Sequence, residues 1–174
     1  MSTYKTLVLA GAILLAACAP TAPVKRLGLG QTPSAEQIRG WDIDVRADGA
    51  GLPPGSGSVA QGQAIYQARC LACHGENGEK GTGPRLAGGQ GTLASKAPVL
   101  TVGSYWPYAT TLYDYIHRAM PLDSPQSLTP DEVYAVTAYT LHLNGIVKAD
   151  AVLDAQSLAA IRMPNRDGFR PVLK

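Results

Sequence analysis

Three features of the sequence predict an all-α fold: three to five short helices around one covalently held group, with irregular N- and C-terminal extensions. Helix-capping patterns open two apolar segments, at Ser58 and Thr129. The 19 glycines and 13 prolines cluster outside the helical patterns, so the connections are loops and not strands. A small chain with this much loop needs something besides a large apolar core to complete it, and Cys70-Leu71-Ala72-Cys73-His74 supplies an attachment point.

That pentapeptide is the spacing of c-type haem attachment. Each thiol adds across one vinyl group to make a thioether, and the histidine that follows is placed under the iron as an axial ligand. A redox dithiol would stand beside a βαβ pattern, and none is present. A structural zinc site needs about four Cys or His ligands, and the only other cysteine is Cys18. One covalently bound haem c is therefore expected, attached through Cys70 and Cys73, with His74 on the iron.

The chain has 174 residues and a formal net charge of +2. Its Lys and Arg residues are scattered, which argues against a nucleic-acid partner. Residues 1–17 read as an export signal: Lys5, then an apolar run from 7 to 17, too short to span a bilayer in the usual way. Leu15-Ala16-Ala17-Cys18 looks like a bacterial lipobox, which implies cleavage before a lipidated Cys18 and a periplasmic protein anchored to a membrane. Ala17-Cys18-Ala19 is the alternative cleavage site, and it too delivers the chain out of the cytoplasm.

Residues 18–57 are expected to be tether and N-terminal arm. A turn and a half of helix is expected over 34–39, a short extended segment over 41–45, and irregular chain over 49–57. Trp41 either packs on the domain or contacts a partner. The cytochrome-like domain is expected over 58–146. Ser58 and Gln61 form a capping box, the helix runs to about Arg69, and Gly62 and Tyr66 share a face four residues apart. The glycine-rich loop 76–90 holds Pro84, whose carbonyl can accept from the histidine Nδ1. It also holds Arg85, which either neutralises a haem propionate or sits solvated in a turn. Tyr105 and Trp106 suggest a wall or a propionate hydrogen bond.

A second helix is expected to be capped by Thr110 or Thr111, with Leu112, Tyr115, Ile116 and Ala119 as its apolar stripe. Pro121 ends it and holds Met120 extended. Thr129, Pro130 and Glu132 open a third helix that Asn144-Gly145 closes. The tail 147–174 carries a short helix near 154–161 and is expected to be a docking extension. Met120, Met163, His117 and His142 are the candidates for the sixth ligand. Met120, just past a helix end, is preferred, and a thioether raises the potential relative to a second histidine.

Residues 58–145 resemble class I cytochrome c, through Cys70, Cys73, His74, Pro84, Met120 and the contact of Gly62 and Tyr66 with Tyr139. The strings 41–46, 102–108 and 163–169 resemble the cytochrome subunit of bacterial sulfite or sulfane dehydrogenases of the sulfur-oxidation system. That resemblance implies an electron-transfer subunit, with catalysis on a separate molybdenum subunit and onward transfer to a downstream cytochrome c or oxidase. Some members of that family carry two haems, and members are often soluble in the periplasm, whereas this chain has one motif and a lipobox. The alternative is a general periplasmic or tethered carrier between a quinol-oxidising complex and a terminal oxidase. An enzyme working at its own haem would need an open iron site, against which Met120 argues.

Overall fold

A computed structural model of the chain describes residues 27–79 and 81–170. The expected export signal, Cys18 and the start of the expected tether lie outside the described residues. No helix among the described residues is long and apolar enough to cross a membrane. Residues 27–34 form a separate unit without helix or strand.

The unit that begins at Ala35 contains the elements α1 (Ala35–Arg39), β1 (Ser56–Ser58), α2 (Val59–Arg69), α3 (Leu71–His74), α4 (Ala109–Ala119), α5 (Pro130–Leu143), β2 (Val152–Asp154) and α6 (Ala155–Ala159). It is mostly helical, as the sequence predicts, with one small antiparallel ribbon that the all-α expectation lacks. Ser56, Gly57 and Ser58 pair with Asp154, Leu153 and Val152. Gly57 permits this, because a Cβ there would lie 2.2 Å from the Ala135 nitrogen. The ribbon can therefore rest directly on α5.

The caps form as their sequences require. Gln61 N–H donates to Ser58 Oγ at 3.2 Å, and Ser58 N–H donates to Gln61 Oε1 at 2.9 Å. Thr129 and Glu132 repeat the reciprocal arrangement, with Pro130 at the first helical position. At the other end of α5, Gly145 (φ 69°) donates to His142 O and Ile146 donates to Leu141 O, a Schellman closure. The close crossing is α2 on α5: a Cβ at Gly62 would lie 1.9 Å from Ala135 O, and the Tyr66 and Tyr139 rings meet at 5.2 Å.

Helix α4 departs from expectation in two ways. Tyr108 stands at its N-cap without a side-chain bond, because Thr110 Oγ1 is engaged with Ala47 O at 3.1 Å. The buried tyrosine is Tyr113, fully enclosed, while Tyr115 is half exposed. Tyr113 is buried because its ring packs, tilted, against Tyr134 of α5, ring centroids 4.5 Å apart.

Packing runs past the expected boundaries at 58 and 146. Val45, Leu153, Leu158 and Met163 belong to the same hydrophobic cluster as Tyr66 and Tyr139. Val45 N–H donates to the buried Asp114 carboxylate at 2.8 Å, and Tyr134 O–H donates to Pro53 O at 2.8 Å. The stretch 152–163 is thus structural and not a free docking arm. Each buried residue there stands almost alone in sequence, which leaves no periodicity to read. Trp41 does the opposite of packing: it is 87% exposed.

Candidate functional site

Helix α2 delivers Cys70 at its C-terminus, where the backbone breaks before α3 carries Leu71 to His74. Tyr66 O–H donates to Gly75 O at 2.7 Å and braces this turn against the helix behind it. Gly83 N–H donates to Cys73 O at 2.7 Å, which draws the following loop over the turn. That approach needs glycine: a Cβ at Gly81 would lie 2.0 Å from Cys73 O, and one at Gly83 would lie 3.1 Å from His74 Cε1.

The loop then presents the Pro84 carbonyl 2.8 Å from His74 Nδ1. A carbonyl only accepts, so Nδ1 carries the proton and Nε2 keeps its lone pair for a metal. Burial pushes the Cys70 thiol up to about 11. Cys70 is the more enclosed of the two thiols, and Cys73 is exposed.

Met120 is placed as its sequence context predicts. It follows α4 with an extended backbone (φ −124°, ψ 145°), and its side chain is partly buried. Leu71, Leu86, Trp106 and Met120 rim the same core cluster. Arg69 Nη2 reaches Ser127 Oγ at 2.9 Å, joining the end of α2 to the loop that follows Met120. The rival candidates have other neighbours. Met163 is enclosed in the core, and His142 Nδ1 pairs with Val147 O at 3.1 Å. His117 lies against the Tyr113 ring, with its Nδ1 buried and unpartnered.

Arg85 donates from Nε to Glu79 O at 2.8 Å. It has no carboxylate partner among the described residues, so the outer guanidinium nitrogens remain for an anion. Tyr105 and Trp106 meet other aromatics: Tyr105 lies edge-on to Phe169 at 5.1 Å, and Trp106 edge-on to Tyr115 at 5.8 Å. Two polar residues at the heart of the arrangement escape sequence reading. Asp114 is buried, accepting from Val45 N–H and paired with Arg118. Asn144, besides ending α5, grips the glycine-rich loop. A capping Asn and an i,i+4 Asp–Arg pair look ordinary in sequence, and only their distant partners reveal them.

Comparisons with known proteins identify the family of this domain. The cytochrome c family model matches residues 59–144. A solved chain of the sulfane dehydrogenase SoxCD from Paracoccus pantotrophus is 47% identical, with a TM-score of 0.79, over 84% of this chain and 72% of that one. The chain belongs to the cytochrome c family. A thiosulfate dehydrogenase from Allochromatium vinosum is 32% identical over 90 residues, which is 46% of this cytochrome and 29% of that relative. The domain has the class I cytochrome c fold, and its role is electron transfer.

Family membership implies covalent haem c, and the residues fit it. Two thiols with two residues between them, an imidazole with only Nε2 free, and a partly buried apolar rim are what the group requires. When bound, haem supplies one-electron iron chemistry. Cys70 and Cys73 would hold it, and His74 would ligate the iron through Nε2.

Proposed function

We propose that this cytochrome holds a single haem and accepts electrons from the molybdenum subunit of a sulfite or sulfane dehydrogenase. It then passes them to a downstream cytochrome c or oxidase of the respiratory chain. It works in the periplasm, tethered to a membrane through a lipidated Cys18. Catalysis at the sulfur centre belongs to the partner.

The likeness to the SoxCD chain carries this reading. It covers 84% of the cytochrome, well beyond the 59–144 of the family domain, so the flanking segments share in it. A surface feature supports a protein partner. Tyr105 with Phe169 and Trp106 with Tyr115 form two edge-on pairs, and Phe169, Tyr105 and Tyr115 are 51%, 38% and 49% exposed. Arg166 lies over the Tyr108 ring at 4.1 Å beside them, and Asn165 Nδ2 holds Tyr105 O at 2.6 Å. Aromatics and arginine are the residues enriched at protein interfaces, where a few anchors dominate affinity. The exposed Trp41 is a second candidate anchor.

Within the cytochrome, His74 and Met120 would hold the iron. The Pro84 carbonyl fixes the imidazole tautomer, and the free guanidinium nitrogens of Arg85 would be available to the haem carboxylates. A thioether ligand beside histidine would suit a carrier.

The test is purification of the full-length protein from its native membrane. A molybdenum-containing subunit should co-purify, and sulfite or a sulfane substrate should reduce the haem only when that subunit is present. Reduction by a quinol-oxidising complex, with no molybdoprotein retained, would instead mean a general carrier. Cys18→Ser should move the protein from the membrane to the soluble fraction. Wild type found wholly in the soluble periplasm would overturn the tether.

A further inference from the structure

The loop that orients His74 is fastened at its near end by its own backbone. Gly83 N–H bonds Cys73 O, while Leu86 and Ala87 N–H bond Gly78 O. Its far end is fastened from another part of the fold. Asn144, 8% exposed at the end of α5, donates from Nδ2 to Leu86 O at 3.0 Å and to Thr140 O at 2.9 Å. Its Oδ1 accepts from Gly88 N–H at 3.2 Å and from Gln90 Nε2 at 3.4 Å. All four hydrogen-bonding positions of the amide are used. Gly103 closes the slot: a Cβ there would lie 2.2 Å from Asn144 Oδ1. Thr101 Oγ1 adds a bond to Gly88 O at 2.6 Å.

Leu86 is two residues from Pro84, whose carbonyl meets His74 Nδ1. We infer that Asn144 is a positioning residue for the iron: by clamping Leu86 and Gly88 it sets the Pro84–His74 hydrogen bond and, through it, the reduction potential of the haem. The physical link is the basicity of the ligand. A firm Nδ1–H···O bond makes the imidazole a stronger donor, which favours the oxidised iron. Releasing the clamp loosens that bond, weakens the donor and favours the reduced iron.

The inference rests on His74 being an axial ligand. Iron-shifted resonances of the His74 ring in the wild-type holoprotein check that first and separately. The variants are Asn144→Ala, which deletes the amide, and Gly103→Ala, which displaces it without adding charge. Leu158→Ala, a core deletion remote from the loop in sequence, is the control for lost stability. Outer-shell partners of metal ligands are typically worth about 10–100-fold. Asn144 acts one step further out, so the reduced-to-oxidised ratio at a fixed applied potential should rise about threefold in Asn144→Ala. Gly103→Ala should move it in the same direction. In both, exchange of the His74 Nδ1 proton and the Gly88 amide should quicken, while Leu158→Ala leaves the potential in place. An unchanged potential and unchanged Nδ1 exchange in whichever of the two variants retains haem would overturn the assignment. So would an equal potential shift in Leu158→Ala.

Discussion

The Tyr134 hydroxyl donates to the Pro53 carbonyl at 2.8 Å, joining the last large helix to a residue 81 positions earlier. With Val45 on Asp114 and the ribbon of β1 with β2, it makes the flanking segments part of the fold. A fragment of 58–146 should therefore be far less stable than the whole domain. It loses Val45, Leu153, Leu158 and Met163 from the core. Leu158→Ala alone, at a fully buried site, should cost about 2–5 kcal/mol, a large share of the roughly 5–15 kcal/mol that holds most domains together. Denaturant titration of the holoprotein measures both. A fragment as stable as the full domain would contradict the packing described.

Gly62→Ala should be the most damaging single methyl addition. The new side-chain carbon would meet the backbone carbonyl of Ala135 at 1.9 Å. No side-chain rotation relieves it, so α2 and α5 must separate at about 1–3 kcal/mol or more. Helix α2 carries Cys70, so haem incorporation should fall with stability. The yield of covalently attached haem, read from the pyridine haemochrome spectrum, is the measurement.

Met120→Ala should open the sixth position while leaving the haem attached. The near-infrared charge-transfer band of oxidised, methionine-ligated haem should vanish, and the reduced protein should then bind carbon monoxide. Met163→Ala should keep the band and lose stability instead, because Met163 is enclosed in the core. If the band survives in Met120→Ala and disappears in Met163→Ala, the ligand assignment fails.

Alkaline stability should depend on Tyr66. Burial raises its hydroxyl to about 12, against 10.0 for the free group, so the folded state keeps a proton that the unfolded state releases. The contribution is full below pH 10 and is lost as the pH climbs toward 12. Tyr134 is raised to about 12 for the same reason. Tyr66→Phe should cost about 1 kcal/mol at neutral pH through the lost bond to Gly75, and should shallow the decline above pH 10. Denaturant midpoints at several alkaline pH values test this, and an unaltered slope would count against it.

The haem motif, the capping boxes at Ser58 and Thr129, the Schellman stop at Gly145 and the extended Met120 were legible because each is local. Spacing, capping and the steric effect of proline act within a few residues, and the sequence is the complete description at that range. The meeting of Gly62 and Tyr66 with Tyr139 came from family resemblance, and the structure realises it.

By itself, then, the sequence determined where helices begin and end, which thiols and imidazole would hold the cofactor, and that a proline carbonyl was at hand for the histidine. Tertiary structure alone decided which polar groups became buried hubs. Asp114 and Asn144 bond to residues 69 and 58 positions away. Tertiary structure also decided that Tyr113 and not Tyr115 faces inward, and that Leu153, Leu158 and Met163 complete the core. The reason is the same for each. A long-range contact is fixed by how helices cross and what remains unpaired once they do, and neither is written in any one stretch of chain.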